Sequence, residues 1–153
     1  MSTLRVDTIA NTAGVTNQRV LQVVQGTISL GQVSTTSTSF VDSGYYLNIT
    51  PTSTASKIIV SSQFNTLGTA STLYSTIYRD NTTNLMQAIH ANISGLSQWG
   101  TAAFSFLDSP ATTAQVKYSI YFRVTSGTGY ISHTGSATPL TSQVFITAME
   151  IAG

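Results

Sequence analysis

The chain has 153 residues, a formal net charge of +1 and only 7% charged residues, against the roughly 25% usual in soluble domains. That length suffices for one domain burying roughly 70% of its unfolded surface, and the lack of cysteine excludes a disulfide framework or a Cys-based zinc site. Its six basic residues, Arg5, Arg19, Lys57, Arg79, Lys117 and Arg123, are scattered singly, so no basic stripe can neutralise a run of phosphates and nucleic acid is not an expected partner.

Hydroxyls must do the solvating that charges do elsewhere: there are 21 Ser and 26 Thr, and β-branched Thr suits a pleated, half-wet strand face. No apolar run approaches the roughly 18 residues of a membrane span, and the start has no apolar secretion-signal core. Neither membrane insertion nor export by the ordinary route is expected. A surface so poor in charge gives little protection against self-association, so an oligomer is expected.

Residues 1–17 show brief alternation, with Leu4, Val6 and Ile9 as the apolar members, then turn chemistry at Asn11-Thr-Ala-Gly14. This is too little apolar surface for a core, leaving a disordered tail or, as the alternation favours, an arm that pairs with a neighbour. The knob domain is expected over 18–153. From Arg19 period-2 patterning becomes steady, first through Val20 to Gln25. Ser34 to Ser39 is a polar tract read as a loop or edge strand. Phe40-Val41, Tyr45 to Ile49 and Ser56 to Phe64 follow as strands, divided by Asp42-Ser-Gly44 and Pro51-Thr-Ser-Thr-Ala55. Thr72 to Tyr78 and Leu85 to Ala91 form a predicted hairpin with its tip at Asn81. Asn92 to Gly100 reads as a loop, Thr101 to Leu107 and Gln115 to Val124 as strands, then Tyr130 to His133 and finally Ser142 to Ile151. The clearest strand has Val116, Tyr118, Ile120, Phe122 and Val124 on one face and Lys117, Ser119, Tyr121 and Arg123 on the other. Eight to ten strands with turn signals about every ten residues predict an all-β, antiparallel two-sheet sandwich of jelly-roll type with a short extended N-terminal arm.

The chain is poor in convergent titratable groups. Asp42, Asp80 and Asp108 each occupy turn contexts, where a side chain capping its own backbone accounts for them. His90 and His133 have no second ligand at metal spacing. Neither catalysis, a metal nor a cofactor is expected. Glu150 is the only Glu and shares a strand face with Val144 and Ile146. If buried it needs a partner, with Arg79 or Arg123 the natural choice, within the chain or across a subunit seam; an exposed rim position is the alternative.

An ordered set of segments carries a resemblance: Ser2-Thr-Leu-Arg-Val-Asp-Thr-Ile9 with Asn11-Thr-Ala-Gly14; Arg19-Val-Leu-Gln-Val-Val24; Ser34-Thr-Thr-Ser-Thr-Ser-Phe-Val-Asp42; Ile49-Thr-Pro51 with Ser56-Lys-Ile58; Tyr78-Arg-Asp80; Phe106-Leu-Asp-Ser-Pro110; and Ile146-Thr-Ala-Met-Glu-Ile151. Together they resemble the small jelly-roll fibre and knob proteins of tailed bacteriophages, common in phages of marine and cyanobacterial hosts. The resemblance implies a homotrimeric virion component, made in the bacterial host cytoplasm, whose N-terminal peptide attaches to other virion proteins while the β knob faces outward. Longer fibres have a shaft between arm and knob, which this chain lacks.

Two function classes follow. A tail-fibre or host-recognition knob presents an aromatic, amide-rich tip to a host surface glycan, and Trp99 with Asn92, Ser97 and Gln98 supplies such a set; Trp99 as a core or interface anchor is the competing reading. A capsid decoration or cement trimer needs only the arm and a seam. A polysaccharide depolymerase, the third class, lacks the acids it would require.

Overall fold

The computed structural model describes residues 19–28, 31–69, 72–86, 89–91, 98–132 and 144–153. Their period-2 segments form strands β1 (Val20–Ile28), β2 (Val33–Thr35), β3 (Val41–Ile49), β4 (Lys57–Thr69), β5 (Leu73–Arg79), β6 (Thr83–Asn84), β7 (Ile89–Ala91), β8 (Gln98–Asp108), β9 (Val116–Val124), β10 (Thr128–Ile131) and β11 (Val144–Ile151). One sheet runs β1-β11-β4-β10-β2 with β8 also paired to β4, and the other runs β3-β9-β5-β6 with β7 also paired to β5. All pairings are antiparallel. With β2, β6 and β10 set aside, the sheets are β1-β11-β4-β8 and β3-β9-β5-β7. First strand pairs with last, second with seventh, third with sixth and fourth with fifth, as in a long hairpin rolled upon itself. That wrapping is the jelly roll.

The core lies between the sheets. Val116, Tyr118, Ile120, Phe122 and Val124 of β9 are buried at 1% exposure or less, and they meet Ile58, Val60 and Phe64 of β4 and Ile146 and Ala148 of β11 in the same cluster. Full burial of each large aliphatic or aromatic side chain contributes roughly 1.5–3 kcal/mol. Of the polar tract at 34–39, Ser34 and Thr35 belong to the edge strand β2 and residues 36–39 lie in the loop that follows, so both readings hold in part.

Three local readings differ from the structure, one being the predicted strand Leu85 to Ala91, which is replaced by the short β6 and β7 with Leu85 and Met86 in neither. Asp42-Ser-Gly44 does not separate two strands: β3 runs through it, with a register shift against β9 between Asp42 and Tyr46. Gly44 takes φ 79° there, and the Ser43 hydroxyl donates to Ile120 O at 2.7 Å, bonding the bulge to the neighbouring strand. The expected loop at 92–100 also ends early, because Gln98–Gly100 is already strand, paired to Thr66–Gly68. The hairpin tip lies where expected. Asp80 and Asn81 both take positive φ, at 51° and 60°, which Asp and Asn tolerate better than most residues, and Thr82 N donates to Arg79 O across the turn.

Candidate functional site

The two outer faces of the sandwich differ in chemistry. On the β1-β11-β4-β8 sheet, alternation turns one set of side chains away from the core, and the register aligns them in rows across four strands. Val23 pairs with Met149, Met149 with Ile59 and Ile59 with Leu107, an unbroken apolar row. The next row is Gln25, Thr147, Ser61 and Ser105, where the two serine hydroxyls bond at 2.9 Å. Beyond it stand Phe145, Gln63 and Ala103. Val23 is 56% exposed, Leu107 50% and Phe145 41%. A shallow groove of about 370 Å³ runs between Phe145, Thr147, Ser61 and Ser105. Among the described residues of these strands, Lys57 alone brings a charge to this face.

The outer face of the β3-β9-β5 sheet is aromatic and charged. Tyr78 and Tyr121 stack with centroids 4.0 Å apart, and Phe40 lies 6.3 Å from Tyr78. The Arg123 guanidinium sits 4.2 Å over the Tyr74 ring and 5.3 Å from that of Phe40, while Lys117 Nζ is 4.4 Å over Tyr46. Lys117 also approaches Asp42 Oδ2 at 3.6 Å. Sequence alternation already put Lys117, Tyr121 and Arg123 on one face of β9. Their partners Tyr46, Tyr74 and Tyr78 come from two other strands and carried no local signal.

Two buried carboxylates are held by partners within the fold. Glu150 is fully buried on the inner face of β11, and its partners are neither Arg79 nor Arg123. It accepts from Thr52 N at 2.7 Å and Thr52 Oγ1 at 2.8 Å, and from Gln22 Nε2 at 2.6 Å. Burial opposes its ionisation, but these donors outweigh that cost and hold the carboxyl at about 2, below the ordinary 4.5. Ser56 Oγ is a further polar neighbour that favours the charged form without completing a hydrogen bond. The expectation of an arginine partner fails because Arg79 is committed elsewhere and neutral donors satisfy the carboxylate within the chain. The rim alternative fails with it.

Asp108, expected to cap its own turn, instead ends β8 inside the fold. Arg79 Nη1 donates to its two oxygens at 2.8 and 2.9 Å, and Tyr118 OH donates at 2.7 Å. Burial, with the hydrogen bond to Asp108, raises the Tyr118 phenol far above its ordinary range. Asp80 likewise reaches across to accept from Lys117 N at 2.9 Å. Only Asp42 keeps the local role expected of it, accepting from Gly44 N at 2.9 Å.

Of the residues singled out in the sequence, the arm members Leu4, Val6 and Ile9 and the loop members Asn92 and Ser97 lie outside the described residues. The backbone of Gln98 and Trp99 belongs to β8, opposite Gly68 and Leu67, and their side chains also lie outside what is described. Among the described residues, no group of three or more His, Cys, Asp or Glu is placed to hold a metal ion.

No family model matches the chain, and no curated protein does. Solved structures similar to it include the Eiger TNF of S. frugiperda, at 13% identity and TM-score 0.48, covering 88% of this chain and 94% of that one. The infectious bursal disease virus Gx strain follows at 14% identity and TM-score 0.43, covering 98% of this chain and 42% of that one. The subviral particle of the same virus stands at 13% identity and TM-score 0.43, covering 96% and 41%. The chain thus spans less than half the length of those two viral chains.

Proposed function

We propose that this chain is a virion protein of a tailed bacteriophage, a tail-fibre or host-recognition knob that assembles as a homotrimer and attaches to other virion proteins through residues 1–17. The observation that carries the reading is the outer face of the β1-β11-β4-β8 sheet. Its apolar row Val23, Met149, Ile59 and Leu107 lies beside the uncharged polar row Gln25, Thr147, Ser61 and Ser105, and Lys57 is the one charge that the described residues of these strands bring to the face, so a copy can be buried there with little charge to desolvate. The ordered resemblance of the segments from Ser2 to Ile151 to phage knob proteins supports it independently. The role is structural and adhesive, without catalysis or cofactor.

Light scattering at micromolar concentration is expected to give the mass of three chains, and antibody labelling of intact phage particles should mark the tail. A stable monomer overturns the assembly. Label confined to the head assigns the protein to capsid decoration instead.

Within the recognition reading, Asn92, Ser97, Gln98 and Trp99 remain the first contact set for a host surface glycan. Trp99→Ala in the phage is expected to reduce adsorption to host cells while leaving the knob's melting temperature nearly unchanged. A stability loss of the roughly 3–5 kcal/mol typical of a buried Trp would place Trp99 in the core or seam and remove it from that role.

A further inference from the structure

If the β1-β11-β4-β8 face is buried between copies, the face on the other side of the sandwich is turned to solvent, and it carries an arginine held in an unusual state. The flat guanidinium of Arg123 has the ring of Tyr74 at 4.2 Å and that of Phe40 at 5.3 Å. The other cations nearby are neutralised, Arg79 by the two oxygens of Asp108 and Lys117 by Asp42. Arg123 has neither a carboxylate nor a hydrogen-bond acceptor among the described residues. Aromatic contact orients a guanidinium and leaves its N–H edge available. We propose that Arg123, with the Tyr78–Tyr121 pair beside it, forms a binding site for an acidic saccharide whose carboxylate pairs with the guanidinium.

The choice of ligand follows from the two halves of the site. A planar fork of N–H donors, already fixed in orientation, matches the two oxygens of a carboxylate. Tyr121 lies two residues along the same face of β9, a separation of about 7 Å. One pyranose ring bridges that distance, its apolar C–H face against the half-buried tyrosine rings and its hydroxyls toward the phenols. Burial, the charge of Asp42 and the neighbouring Tyr78 raise the Tyr121 phenol, keeping its O–H a donor. A carboxylate on a peptide would use Arg123 alone and leave the ring pair without a partner. The outward placement of this face rests on the assembly proposed above, whereas Arg123, Tyr121, Tyr78, Tyr74 and Phe40 all come from one chain.

The test is calorimetric titration of the full chain with trigalacturonate and with sialyllactose, each compared with its methyl ester, while light scattering on the same samples reports the oligomeric state. Binding of at least one acid form is expected, with at least about a tenfold loss on esterification and on Arg123→Gln. Arg123→Lys, which keeps charge but not the fork, should fall between. Absence of binding by both acids at about 10 mM, or equal binding of acid and ester, overturns the proposal without reference to any variant's folding. Equal affinity for triglutamate overturns the saccharide half. A monomer that binds the acid form, or a trimer that does not, shows which of the two proposals has failed.

Discussion

Glu150→Ala is expected to lower the free energy of unfolding by about 3 kcal/mol at neutral pH, because hydrogen bonds to a charged group each contribute about 1.5–3 kcal/mol and the abandoned donors recover part of that with water. The lost bonds are those from Thr52 N, Thr52 Oγ1 and Gln22 Nε2. They tie the 50–52 corner to β1 and β11, so the loss is also one of strand order. Glu150→Gln keeps the volume and one acceptor for Thr52, but sets an amide N–H₂ against that of Gln22. Turning the Gln22 amide to suit it would sacrifice the 2.7 Å bond from Gln22 to Thr50 O. About half the loss is therefore expected for this variant.

The pH dependence has a definite sign. The carboxyl is held at about 2 in the folded chain against an ordinary 4.5, so the unfolded chain takes up the proton first as pH falls. The contribution of Glu150 is complete above the unfolded value and disappears as pH falls from 4.5 towards about 2. Urea midpoints for the natural chain and Glu150→Gln should therefore differ at pH 7 and converge towards pH 2. A difference that is constant with pH would mean that Glu150 is not the ionised acceptor described.

The second large effect concerns assembly. Leu107→Lys and Val23→Lys replace side chains that are 50% and 56% exposed in the single chain, where a surface substitution usually costs within about 0.5 kcal/mol. In a seam formed by this face, each would bury an unpaired charge at several kcal/mol, and symmetry repeats that cost in every copy. The double variant is expected to keep its melting behaviour as an isolated knob and to shift from three chains to one in light scattering at micromolar concentration. Asn48→Asp, on the exposed outer face of β3, should leave the trimer intact. A double variant that stays trimeric moves the seam off this face.

Alternation in β9 was legible along the chain because the pleat turns successive side chains to opposite faces, so apolar positions from Val116 to Val124 needed one interior and Lys117, Tyr121 and Arg123 another surface. Alternation together with turn signals indicated two sheets and the turn at Asp80-Asn81, while the polar tract at 34–39 was open between a loop and an edge strand. Asp42-Ser-Gly44 misled because bulge and turn use the same residues, and they are distinguished by the continued pairing of β3 with β9 and the bond from Ser43 to Ile120 O.

What tertiary structure alone decided is every pairing between distant segments. Val24 meets Ala148 and Ile59 meets Leu107 because the chain is rolled as a jelly roll, and neither contact has a periodic trace. The functions of the carboxylates follow the same division. Asp42 bonds two residues away and was readable. Asp108 answers to Arg79 and Tyr118, and Glu150 to Gln22 and Thr52. Composition and period set which face each residue occupies; what it touches there is set by strand order and register, which depend on the packing of the whole sandwich.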